Sequence, residues 1–101
     1  MIAISNMTAE NHLQRRHVLF FGRVQGVGFR FTTRDIARRF CVVGHVQNLT
    51  DGSVQLVVEG ATDVLEEFIT AIESQMGRNI QSRQVTESEA TGEFSTFEVR
   101  R

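Results

Sequence analysis

Apolar positions along the chain switch between two periods. Val18, Leu19, Phe20 and Phe21 form a continuous run of β-forming residues, which predicts a central strand ending at Gly22. From Phe29 the spacing changes. Phe29, Thr33, Ile36, Ala37 and Phe40 recur three or four residues apart, predicting an amphipathic helix over about 29 to 40 whose wet face carries Arg34, Arg38 and Arg39. Asp35 is spaced to pair with Arg39. Strands are predicted over about 41 to 48 and 54 to 59, the second alternating Val54, Leu56 and Val58 with Gln55 and Val57, and Asp51-Gly52 between them is a hairpin signal. A second helix is predicted to open at an Asp63 cap, with Glu66 completing a capping box, and to bury Leu65, Phe68, Ile69, Ile72 and Met76 while Glu66, Glu67 and Glu73 face water. After Gly77, strand-like segments over about 84 to 90 and 94 to 99 flank Thr91-Gly92, and Phe94, Phe97 and Val99 are expected to close the core.

The predicted order is strand, helix, strand, strand, helix, strand. Because strand-helix-strand crossovers are right-handed, this order implies an α+β, ferredoxin-like βαββαβ sandwich: an antiparallel sheet with both helices on one face. Residues 1–16 read as a polar, flexible N-terminal extension, and residues 17–101 as one domain.

Composition narrows the partners. With 41% hydrophobic and 23% charged residues over 101 positions, the chain is an ordinary soluble globular domain, and a net charge of -1 offers no long-range attraction to nucleic acid or anionic membrane. A bound anion must therefore be small and held locally. All eleven basic residues are arginine, so lysine-based covalent chemistry is excluded. Cys41, the only cysteine, is expected as a small buried residue of a strand beside Val42 and Val43. His12, His17 and His45 are too scattered for a zinc pattern, so no metal and no cofactor are expected. Ile2-Ala3-Ile4 is too short for a secretory core and no apolar run reaches membrane-spanning length, which leads to the expectation of a cytoplasmic protein; a monomer is expected, although no sequence feature fixes the oligomeric state.

The candidate chemistry lies where the first strand turns into the first helix, at Gly22-Arg23-Val24-Gln25-Gly26-Val27-Gly28-Phe29-Arg30. Glycine-spaced turns of this kind let successive N–H groups converge on an anion while the following helix directs its dipole at the same point. Arg30 adds a planar five-donor fork. A second segment, Gly44-His45-Val46-Gln47-Asn48, leads into the Asp51-Gly52 hairpin. Together, Gly22, Val24, Gln25, Gly26, Val27, Phe29 and Arg30 in the first segment, and Gly44, Val46, Gln47, Asn48, Gly52, Val54 and Gly60 in the second, resemble the paired signatures of the acylphosphatase family over about residues 17 to 101. Phe20 and His45 depart from that pattern, standing where an aliphatic and an aromatic residue are usual.

The resemblance implies hydrolysis of the carboxyl-phosphate bond of small acyl phosphates, with a phosphate-binding loop of Val24, Gln25, Gly26, Val27, Gly28, Phe29 and Arg30, and with Asn48 positioning the nucleophilic water. Residue chemistry agrees. The loop has no nucleophile and no metal ligands, yet an acyl phosphate expels a carboxylate whose conjugate acid has a pKa of about 4 to 5, so leaving-group protonation is unnecessary. Inorganic phosphate is expected as product and inhibitor. Simpler roles stay open at this level: Asn48 could bond the backbone of the turn at 49 to 52, and Arg30 could form a surface salt bridge with Asp51 or a helix carboxylate. Two other functions also compete. Gly26-Val27-Gly28-Phe29-Arg30-Phe31 echoes an RNA-recognition motif, although it falls between a strand and a helix instead of on a strand bearing an aromatic platform. A non-catalytic phosphate-binding version, like those embedded in larger carbamoyl-transfer proteins, is the other; the short chain weighs against it.

Overall fold

The computed structural model describes residues 12–101. Its elements are β1 (Leu13–Gly22), α1 (Phe29–Ala37), β2 (Val43–Asn48), β3 (Val54–Ala61), α2 (Thr62–Met76), a short 3₁₀ turn (Gly77–Asn79), β4 (Ile80–Glu89) and β5 (Phe97–Arg100). The sheet order is β4-β1-β3-β2-β5. The first four strands pair antiparallel, as the ferredoxin-like plan requires, while β5 adds a parallel edge to β2 with Val46 opposite Val99. The sheet is therefore mixed and not wholly antiparallel: the chain arrives at the β2 edge from the far end of the sheet after β4 and runs in the β2 direction.

Strand alternation separates the two faces. Val18 and Phe20 of β1, Val46 of β2, and Val54, Leu56 and Val58 of β3 are all fully buried and meet Phe29 and Ile36 of α1 and Leu65, Phe68 and Ile72 of α2 in one core. Phe97 and Val99 pack against that core as expected. Phe94 does not. Its ring lies 5.7 Å from the His45 ring, edge-on, with the Arg15 guanidinium 5.2 Å over it, on the opposite face of the sheet. The loop before β5 is drawn there by buried Glu59, which accepts the N–H groups of Thr91 and Gly92 and the Nε of Arg15 at 2.8 to 3.0 Å. Burial raises the Glu59 pKa, but these donors outweigh it and hold the carboxyl below its ordinary range.

Several local expectations change. β1 begins at Leu13, so residues 13–16 of the expected extension belong to the sheet, paired with β3 and, from Gln14, with β4; residues 1–11 of that extension lie outside the described residues. α1 ends at Ala37, where tight turn bonds from Arg39 to Ile36 and Phe40 to Ala37 unwind it, and Arg38 replaces Arg39 as the partner of Asp35 at 3.6 Å. Cys41 is exposed, because β2 starts only at Val43 and the bend at 41 carries the chain around the end of α1. The capping box is absent. β3 runs directly into α2 through an extended Ala61, and Asp63 lies inside the first turn, accepting the N–H of Val64.

Candidate active site

Two buried side chains fix the loop between β1 and α1. Val24 is 1% exposed, and Phe29, the first residue of α1, packs its ring 5.1 Å from that of Phe20 on β1. Between these anchors Gly26 and Gly28 adopt φ of 75° and 78°, a left-handed conformation that a side chain at either position would strain. Gly28 is the N-cap of α1 and its carbonyl accepts the first helical bond from Thr32. Among the described residues, no backbone carbonyl accepts the N–H groups of residues 23 to 28. The first turn of α1 carries no acidic residue, so the positive end of its dipole is uncompensated and Arg30 adds to it.

Gln25 turns away from this nest. Its Nε2 donates to the carbonyls of Leu49 at 2.7 Å and Ser53 at 2.8 Å, tying the loop to the β2–β3 turn. That turn has its own clasp, since Asp51 Oδ1 accepts the hydroxyl and the N–H of Ser53, which lowers the carboxyl pKa. The tie brings Asn48, the last residue of β2, beside the loop. Asn48 and Val46 share the helix-side face of the sheet, and Asn48 Oδ1 is buried with no hydrogen-bond partner. His45, three residues earlier, faces the other way, as its separation from Asn48 dictates. Its pKa is lowered by burial and then by the nearby Arg100 charge.

Arg30 and Asn48 open onto the same cleft of about 180 Å³, together with Val24, Gly26, Gly28, Phe29 and Phe31. Arg30 makes none of the ion pairs among the described residues; its Nη1 donates to the Arg100 carbonyl at 2.9 Å, so the end of β5 holds the guanidinium in place. Of the loop residues expected to bind phosphate, Val24, Gly26, Gly28, Phe29 and Arg30 line the cleft, Gln25 braces it from behind, and Val27 stands exposed between the two glycines. Phe31 was not foreseen as part of the site; its position three residues after the N-cap, on the side of α1 away from Thr33 and Ile36, was the available signal. Among the described residues, no three His, Cys, Asp or Glu side chains gather as a metal-ligand group, and no helix is long and apolar enough to cross a membrane.

Residues 16–99 match the acylphosphatase family pattern. The chain belongs to the acylphosphatase family. An acylphosphatase of Methanospirillum hungatei is 44% identical over 91 residues, covering 88% of this chain and 99% of its own length, and one of Salinibacter ruber is 49% identical over 81 residues, covering 79% and 85%. The crystal structure of the Bacillus subtilis acylphosphatase superposes with a TM-score of 0.75 at 31% identity, over 88% of this chain and 99% of that one. The same domain also matches 12% of full-length HypF, solved in a phosphate- and nucleotide-bound form, with a TM-score of 0.76. As an acylphosphatase this chain is an enzyme that hydrolyses acyl phosphates, and the binding-module readings are not favoured.

Proposed function

We infer that Arg30 and the loop amides of residues 24 to 30 hold the phosphoryl group, and that Asn48 orients the water that attacks it. The observation that carries this reading is the shared cleft, in which a guanidinium anchored at 2.9 Å and a buried carboxamide oxygen without a partner meet beside free N–H donors. Asn48 Oδ1 accepts a hydrogen from water and aims its lone pair at phosphorus, in line with the leaving carboxylate. The new P–O bond forms as the bond to the acyl oxygen breaks and the carboxylate departs with the electron pair. One water proton passes to a phosphoryl oxygen of the substrate and the other stays on the new phosphate hydroxyl. Charge on the equatorial oxygens is met by the bidentate arginine and the amides, which need no reorganisation during reaction. The leaving group needs no acid and the water needs no strong base, so the reaction proceeds without metal; the residue chemistry of the cleft supports this.

Inorganic phosphate fits the same nest and inhibits as product. The chain acts as a cytoplasmic monomer, without nucleic-acid or membrane partners. The small net charge of -1 supports the absence of nucleic-acid and membrane partners. The test is Asn48→Ala: turnover of benzoyl phosphate is expected to fall roughly a hundred- to a thousand-fold, as for loss of one preorganised polar group, while inhibition by phosphate stays within about threefold. Near wild-type turnover would remove Asn48 from the mechanism.

A further inference from the structure

We propose that a second cleft, at the end of α1 away from the phosphate loop, binds an aromatic carboxylate. It encloses about 420 Å³, more than twice the active cleft and within the roughly 300 to 1,000 Å³ of ordinary small-molecule sites, and no residue lines both clefts. The proposal therefore stands apart from the phosphate-clamp reading. Arg34 in the last turn of α1 and Arg38 just beyond it supply two guanidinium groups, and Ser95 and Thr96, ahead of β5, supply two hydroxyls. This last segment is fixed, since the Thr96 carbonyl accepts the N–H of Gly44 in β2 at 2.9 Å. The rest of the lining is apolar. Phe40 and Phe97 lean on Phe68 of α2 with ring centroids 5.8 and 5.7 Å away, yet neither is fully buried, and both line the cleft with Val43.

The fold itself leaves these two arginines short of partners. Carbonyls at the end of α1 are already bonded by its own backbone, Arg34 to the N–H of Arg38, Ile36 to Arg39 and Ala37 to Phe40, so the guanidinium groups are not needed to cap them. Arg34 enters no ion pair among the described residues, and its Nε–H is buried without a hydrogen-bond partner. Its one charge-directed contact is the Phe31 ring, 5.3 Å from the guanidinium carbon, which leaves the fork able to turn. Arg38 meets Asp35 at 3.6 Å, but both side chains are largely exposed and such a pair contributes little. A carboxylate taken side-on by Arg34 supplies the missing acceptor in the bidentate geometry that guanidinium favours. The negative end of the α1 dipole lies at this cleft, and it penalises a dianion more than a monoanion, which selects a carboxylate over a phosphate. An aromatic ring attached to it covers the open surfaces of Phe40, Phe97 and Val43.

The experiment titrates the nitrogen-15-labelled full chain with benzoate, acetate, benzamide and inorganic phosphate, following backbone amide shifts. Benzoate is expected to move the amides of Val43, Ser95, Thr96 and Phe97 with a Kd of about 1 mM or tighter. Acetate lacks the ring and benzamide the charge, so each should bind there about tenfold more weakly or less. Inorganic phosphate should act on residues 24 to 30 instead. Arg34→Gln and Arg38→Gln should each weaken benzoate on the order of tenfold, the scale of one charge-assisted hydrogen bond, with amide shifts elsewhere confirming that the fold is intact. Benzoate shifts confined to residues 24 to 30, or none at Ser95 and Thr96, would overturn the site. Benzoate binding that survives both substitutions, or that benzamide, acetate or phosphate matches at Ser95 and Thr96, would overturn the aromatic carboxylate as its ligand.

Discussion

Arg30 stands in the first turn of α1, where the helix dipole disfavours a cation by roughly 0.3 to 1 kcal/mol and where stability alone would select an acid. A residue kept against that local preference, beside N–H groups with no backbone acceptor and a carboxamide oxygen with no partner, is accounted for by an anion that all three share. His45 presents the opposite case. It is buried on the far face of the sheet against Phe94, with Arg100, Arg15 and Glu98 around it, and its pKa lies below the ordinary value of about 6.5. A depressed histidine pKa means that the unfolded chain takes up the proton first. Its stabilising contribution is therefore complete above about pH 6.5 and is lost as the pH falls from there towards the folded-state pKa. His45→Phe is expected to remove this dependence, so that the melting temperature of wild type drops more than that of the variant between about pH 7.5 and 5.5. The acid limb of the turnover profile should be the same in both proteins, because His45 does not face the cleft. A variant that melts with the wild-type pH dependence would contradict the stability assignment, and a shifted acid limb would show that His45 couples to the site.

Among the elements, the connection that matters most joins the phosphate loop to the β2–β3 turn. The two bonds from Gln25 to Leu49 and Ser53 set the distance between Asn48 and the loop, and no contact within either element would do so. Gln25→Ala is expected to cost about 1 to 2 kcal/mol of stability in denaturant unfolding, at about 0.5 to 1.5 kcal/mol for each hydrogen bond, and to lower turnover without altering the fold. Unchanged stability would mean that the loop holds its position without this tie. Gln25 also shows where sequence reading stops. Its place in the loop was legible, but whether its side chain faces an anion or a neighbouring turn depends on a contact between positions 24 and 28 residues apart. Phe31 is legible in the sequence only as part of the motif that echoes RNA recognition and not as a residue of this cleft, for a related reason: a helical aromatic is ordinarily a core residue, and only the packing of α1 on the sheet decides which aromatics are left outside.

For the molecule as a whole, the two periods of apolar spacing were enough to place both helices and the first strands, since each element buries one face in the same core and the crossover rule then arranges them. The parallel pairing of β5, the outward position of Phe94 and the exposure of Cys41 were not legible. All three follow from how the chain turns outside regular structure, through the Glu59 clasp on Thr91 and Gly92 and the unwound end of α1. The fold brings the end of β5 back to Arg30, so the guanidinium is held by an element 70 residues away in sequence. That held, planar fork is the central claim. It is tested most directly by benzoyl phosphate turnover of Arg30→Lys and Arg30→Ala, with circular dichroism confirming that both are folded. If Arg30 clamps two phosphoryl oxygens, lysine keeps the charge but loses the geometry, and both variants should fall on the order of a thousand-fold, about 4 kcal/mol of transition-state stabilisation. A lysine variant within about threefold of wild type, well under 1 kcal/mol, would contradict the clamp and leave Arg30 as a source of positive potential only.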